Sequence, residues 1–115
     1  MTAFGKRIEV HFADQKLKDA FEALAKGRGE EREVYEMMIR AIDKLEKDPF
    51  VGDTVPRKLV PKEYVKKYGV DNLKRYDLND SWRLIYTIVG SKLLIVSVIL
   101  EWMPHKEYER RFGYR

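Results

Sequence analysis

LKRYDLNDSWRLIYTIVGSKLLIVSVILEW, residues 73–102, decides the fold, because it reads as three consecutive antiparallel strands. Lys74-Arg75-Tyr76-Asp77-Leu78-Asn79 alternates, with Tyr76 and Leu78 on one face and Arg75 and Asp77 on the other, as a half-buried strand requires. Asn79-Asp80-Ser81 turns the chain. The next run, Trp82 to Val89, is dense in aromatic and β-branched residues, and Gly90 after it suits the first central position of a II′ hairpin turn. The third run, Leu93 to Leu100, is apolar on both faces, which predicts a strand buried on both sides. Arg83 interrupts the middle strand. A guanidinium does not sit in apolar surroundings without a partner, so Arg83 is paired, at the rim of the sheet, or facing a site.

Upstream, Arg7 to Phe12 alternates with Ile8, Val10 and Phe12 on one side, a short strand that turns His11 away from the core. Asp14 is placed to cap a helix over Gln15 to Lys26, with Leu17, Phe21 and Leu24 on one face and Gly27 as a left-handed end. A second helix runs from Glu30 to Lys47, its apolar stripe formed by Val34, Met38, Ala41, Ile42 and Leu45. Glu30, Glu31 and Glu33 at its start and Lys44 and Lys47 at its end suit the macrodipole and call for no chemistry. Asp48-Pro49 stops it. The fold class that follows is α+β in a single domain over residues 1–115. An N-terminal strand and a two-helix hairpin pack on an antiparallel sheet that ends in a C-terminal three-stranded meander.

Phe50 to Asn72 is the least regular part, with Pro61 as first residue of a short helix, Lys62 to Tyr68, ended by Gly69. Arg57, Lys58, Lys62, Lys66 and Lys67 are interleaved with Tyr64 and Tyr68. That mixture suits phosphates and stacking on unpaired bases, and equally a lid that packs its tyrosines on the sheet with its lysines in water. The tail from His105 to Arg115 carries a histidine, two tyrosines, a phenylalanine and four basic residues, and it follows the most apolar strand closely enough to lie beside the end of the sheet.

The charge is unevenly placed. Residues 1–56 hold 10 Lys+Arg against 12 Asp+Glu, net −2, and residues 57–115 hold 13 against 7, net +6. A basic half that contains the meander is the footprint of a polyanionic partner or of a salt-bridge-laced surface. With no cysteine, disulfides and thiolate chemistry are excluded, two histidines argue against a structural zinc site, and no metal or cofactor is expected. No run of about 20 apolar residues and no leader pattern is present, so a soluble, cytoplasmic protein is expected.

The order strand, helix hairpin, meander and short tail, with Trp82-Arg83-Leu84-Ile85-Tyr86 on the middle strand and His105-Lys106-Glu107-Tyr108 in the tail, resembles the RelE/ParE superfamily of type II toxin–antitoxin toxins. The resemblance covers nearly the whole chain, with Lys62 to Asn72 standing as an insertion relative to the shortest members. For the RNA-cleaving branch it implies a ribosome-dependent mRNA endonuclease that arrests translation and is neutralised by a cognate antitoxin protein. Arg83 falls on the family's sheet arginine, Tyr108 and His105 fall on its C-terminal catalytic region, and Arg57 and Lys58 lie near its basic loop.

Metal-independent RNA cleavage needs a base for the 2′-hydroxyl proton, an acid for the 5′-oxygen and cations for the phosphorane. Arg83 suits the last role. His105 is the one histidine in the basic half, and histidine is the side-chain type that titrates near neutrality. Tyr108 would orient or stack a base, and Glu101 is a second candidate for proton transfer. Lys66, Lys67, Lys74, Arg75, Lys106, Arg110 and Arg111 join Arg57 and Lys58 as candidate RNA contacts. The bland alternatives are a structural ion pair of Arg83 with Asp77 or Glu101, and core positions for Tyr108 and Phe112. A gyrase-poisoning toxin of the ParE type and a non-catalytic member that only binds a partner protein remain the competing functions.

Overall fold

In the computed structural model the chain is described over residues 2–3 and 5–113, the first pair by backbone alone. Tyr114 and Arg115, part of the basic tail, lie outside the described residues. The sheet is built around β6 (Leu94–Pro104), which pairs antiparallel with β5 (Trp82–Gly90) and, on its other side, parallel with β2 (Lys6–Phe12). Its apolar run is therefore central. The edges are completed by β1 (Thr2–Ala3), β4 (Lys74–Asp77) and β3 (Asp53–Thr54), in the order β1-β2-β6-β5-β4-β3.

The sheet is mixed, not antiparallel as expected. Alternation in β2 reports its buried face and says nothing of its direction, and the long helical connection that follows lets it enter parallel to β6. The terminal strands β1 and β3, with two residues each, carry too little sequence to show alternation. Gly90 also departs from expectation: it stays in β5 opposite Ile95, and the hairpin closes through Ser91–Leu94, where the Ser91 N–H donates to the Leu94 carbonyl at 2.8 Å. A side chain on Gly90 would stand 3.0 Å from that carbonyl oxygen, so close approach selects the glycine instead of a type II′ turn.

Two helices cover the first face. α1 (Gln15–Leu24) is capped as expected, the Leu17 N–H donating to Asp14 Oδ1 at 2.8 Å, and α2 (Glu30–Lys47) has the expected bounds. α1 ends before Gly27, which is not left-handed; a positive φ, 58°, falls instead to Gly29, the residue that precedes α2. The reason is that Arg32 of α2 reaches back and donates to the Ala25 carbonyl at 2.7 Å, satisfying a terminal acceptor without a left-handed cap. Phe21, Val34, Met38, Ala41 and Leu45 pack on Leu84, Tyr86 and Ile99.

The second face is covered by α3 (Lys62–Tyr68) and α4 (His105–Phe112). Pro61 stands just outside α3 as its extended cap residue, not as its first helical residue. Tyr64, Tyr108 and Phe112 close over Ile85, Leu100 and Met103, so the tyrosine-bearing lid and the core reading of Tyr108 and Phe112 both describe the structure. No helix among the described residues is long and apolar enough to cross a membrane.

Tyr86 ties the loop after α2 to the sheet. Its hydroxyl donates to the Pro49 carbonyl at 2.8 Å and accepts from the Gly52 N–H at 3.0 Å. A β-carbon on Gly52 would lie 2.7 Å from that hydroxyl oxygen and 2.9 Å from the Arg75 carbonyl. Both are buried or backbone atoms that cannot retreat. Gly52→Ala should therefore destabilise by about 1 to 2 kcal/mol, read as a lower Tm in thermal unfolding. An unchanged Tm would show that this loop is not pinned by Tyr86.

Candidate active site

Arg75, Asp77 and Arg83 face the α4 side of the sheet because they alternate with Tyr76 and Leu84, which face α2, and because Asp77 pairs with Arg83 across β4 and β5. Asp77 Oδ1 lies 3.1 Å from both Arg75 Nε and Arg83 Nε, and Arg75 Nη2 reaches Asp53 at 2.6 Å. The result is a row, Asp53, Arg75, Asp77, Arg83, laid across three strands. Burial opposes the charge of Arg75, but Asp77, Tyr108 and Asp53 outweigh it and hold the guanidinium pKa above its ordinary value.

Arg83 is 18% exposed. Its Nη1 donates to the turn carbonyls of Asn79 at 2.9 Å, Trp82 at 3.2 Å and Asp80 at 3.4 Å. Of the ion pairs expected for it, the Asp77 one is present. It is thus both a staple of the β4–β5 turn and a fixed cation at the rim of the sheet.

β6 carries the chain from opposite Arg83 straight into α4. Arg83 pairs with Met103, Trp82 with Pro104, and the His105 N–H donates to the Ser81 carbonyl at 2.8 Å. His105 therefore begins α4 beside the turn that Arg83 braces, part-exposed, with Nδ1 3.6 Å from Glu109. Tyr108, one turn on, is 2% exposed, stacked on Phe112 at 4.3 Å, with Arg75 over its ring at 5.7 Å. It is withdrawn from the surface and seats α4 on the sheet.

Glu101 belongs to a different network. In β6, Ile85 pairs with Glu101 while Tyr86 pairs with Ile99, so Leu100 is an extra residue. Such a bulge turns adjacent side chains to one face, and Leu100 and Glu101 both point at α3 and α4. Glu101 accepts from the Tyr64 hydroxyl at 2.7 Å and from Arg111 Nη1 at 2.8 Å, while Arg111 Nη2 reaches Glu63 at 2.8 Å. Burial and the bond to Glu101 push the Tyr64 hydroxyl well above the usual tyrosine range. Burial works against Arg111, and Glu101 and Glu63 more than offset it, raising its pKa.

The expected RNA contacts fall into two sets. Arg57, Lys58, Lys66, Lys67, Lys106 and Arg110 are exposed, although Arg110 pairs with Glu107 and Lys67 lies over the Tyr68 ring at 5.2 Å. Lys74, Arg75 and Arg111 are engaged within the fold, Lys74 donating to Thr54 at 2.6 Å. Sequence reasoning missed a cleft of about 380 Å³ between α1 and α3, with Leu17, Ala20, Tyr68 and Leu100 as walls and floor and Lys16, Glu63 and Lys67 around them. Its two sides are separated by some forty residues of chain, so no local pattern announces it. Among the described residues no group of three or more His, Asp or Glu side chains converges as a metal site would require.

Comparison with models of protein families, with curated proteins and with solved structures yields no match.

Proposed function

We propose that this protein is a toxin of a type II toxin–antitoxin system of the RelE/ParE kind, acting as a ribosome-dependent, metal-independent mRNA endonuclease. The observation that carries this reading is the junction of β5 with α4. There a pre-oriented arginine, Arg83, stands at the rim beside the helix turn that begins with His105. Asp77 and the turn carbonyls fix Nε and Nη1, and among the described residues Nη2 has no partner, leaving it to meet an anion.

In the reaction the 2′-oxygen bonds to phosphorus as its proton leaves to a base, and the P–O5′ bond breaks as that oxygen gains a proton. The products are a 2′,3′-cyclic phosphate and a 5′-hydroxyl. Arg83 opposes the charge that develops on the phosphorane oxygens, and His105 exchanges one of the two protons. Tyr108 and Glu101 hold α4 and α3 in place, instead of touching RNA. The exposed Arg57, Lys58, Lys106 and Arg110 receive flanking phosphates. A cognate antitoxin with acidic residues over this basic half is the expected partner.

A second reading is favoured by one observation: the bonds of Arg83 to Asp77 and to its own turn are those of a structural arginine, which a non-catalytic, partner-binding member would also keep. Primer extension on an mRNA in a translation reaction, with purified protein and with or without ribosomes, separates the two. Cleavage only on ribosomes is expected. No cleavage in either condition would leave the binding protein standing, and cleavage of free mRNA would remove the ribosome requirement.

A further inference from the structure

We infer that the open edge of β2 pairs antiparallel with β2 of a second copy of this chain, joining the two sheets about a twofold axis at Val10. The contact goes beyond the proposed activity and does not depend on it, since Arg83 lies on β5, across β6 from this edge. Among the described residues β1 covers β2 only at Lys6 and Arg7. On its inner side β2 donates to β6 from Arg7, whose N–H meets the Leu93 carbonyl at 3.0 Å, and the same phase holds at Ala13, whose N–H meets the Ile99 carbonyl at 2.9 Å. Backbone groups alternate sides along a strand, so the N–H and C=O of Ile8, Val10 and Phe12 point out of the sheet, where no described residue pairs with them. The opposite edge, β3, is two residues long, too short to template a partner.

The chemistry of the edge selects a second copy as its occupant. Ile8-Glu9-Val10-His11-Phe12 reads apolar, acid, apolar, base, apolar. Laid antiparallel on itself about Val10, it places Val10 against the partner's Val10 and Ile8 against the partner's Phe12, each pair exchanging both backbone bonds. Between them Glu9 stands opposite the partner's His11, in the closer, non-hydrogen-bonded type of pair. The twofold axis makes each of these side-chain pairings twice. Glu9 is already bonded in its own strand, to Arg7 at 2.9 Å and to His11 at 2.7 Å, through different oxygens. A carboxylate offers about four acceptor positions, so some remain for the partner's imidazole. The register is fixed at both ends. Sliding toward Lys6 runs into β1, sliding toward Ala13 runs out of strand at the Asp14 cap, and centring the axis on Glu9 sets two carboxylates face to face. On the α1 side a groove of about 340 Å³, lined by Val10, Phe12, Gln15 and Lys18, leaves room for the partner's Val10.

Sedimentation of the full-length protein over a range of concentrations should show a reversible monomer–dimer equilibrium, with the dimer at twice the chain mass of 13.7 kDa. Amide hydrogen exchange at Ile8, Val10 and Phe12 should slow as the dimer fills, while Arg7 and Ala13, already bonded to β6, should not respond. Val10→Pro removes an N–H that serves no bond within the described chain, and should abolish the dimer while the circular dichroism spectrum stays that of the folded protein. Glu9→Lys and His11→Glu should each weaken the dimer about tenfold or more, by replacing an acid–base pair across the axis with two groups of like kind. Mixing those two variants should restore it, because each substituted side chain then meets its complement. The charge variants keep the test decisive if the proline variant fails to fold. A monomer at every concentration, which would leave the edge to a strand of another protein, overturns the inference. So does a dimer that tolerates Val10→Pro, or a mixture that associates no more tightly than either charge variant alone.

Discussion

Replacing Arg83 by alanine should lower single-turnover cleavage on the ribosome about 10²- to 10³-fold, roughly 2.7 to 4 kcal/mol, the cost of losing one positioned donor to a developing oxyanion. The same change should also lower stability, because the Asn79, Asp80 and Trp82 carbonyls lose their shared donor and Asp77 keeps only Arg75. The turn is open to water, which re-solvates those carbonyls, so the stability loss should be about 1 kcal/mol. The two effects are separable by Asp77→Asn, which weakens the ion pair and leaves the guanidinium in place. That variant should share the stability loss and keep most of the rate. His105→Ala should impair cleavage by about 10² to 10⁴ if it moves a proton. An Arg83→Ala protein that melts earlier but cuts at the unsubstituted rate would retire the site and leave Arg83 as a turn staple.

Glu101→Ala is expected to produce the larger loss of stability, about 2 to 3 kcal/mol. Breaking a buried ion pair by removing one partner costs about 3 to 5 kcal/mol, and the figure is discounted because Glu101 is 35% and Arg111 19% exposed and water screens them. Arg111 would keep Glu63, but the Tyr64 hydroxyl would lose its acceptor in a part-buried position. Glu101→Gln retains an oxygen for one of the two donors and should cost roughly half as much. Thermal unfolding and cleavage rates on both variants distinguish this from catalysis. A proton-transfer role would add to that stability loss a rate about 10² to 10⁴ slower for Glu101→Gln, whereas a purely structural role leaves the folded protein cutting at the unsubstituted rate.

The elements were legible wherever local rules decide them. The alternation of Tyr76 and Leu78 against Arg75 and Asp77, the doubly apolar run of β6, the stripe from Val34 to Leu45 and the Asp14 cap each follow from side-chain period or from a terminal N–H that needs an acceptor. The imbalance of charge toward residues 57–115 and the absence of cysteine were equally plain. What the chain could not announce is everything that depends on residues far apart. Whether β2 enters parallel or antiparallel is set by the path of the crossover and not by its own alternation. Whether a helix end needs a glycine depends on what reaches it from elsewhere, here Arg32 on the Ala25 carbonyl. In α4, Arg110 and Arg111 are chemically identical neighbours. Tertiary packing alone turns Arg111 inward to Glu101 and Glu63 and leaves Arg110 in water, because helical pitch places Arg111 beside the buried Tyr108 and Phe112 and a bulge in β6 aims Glu101 at it.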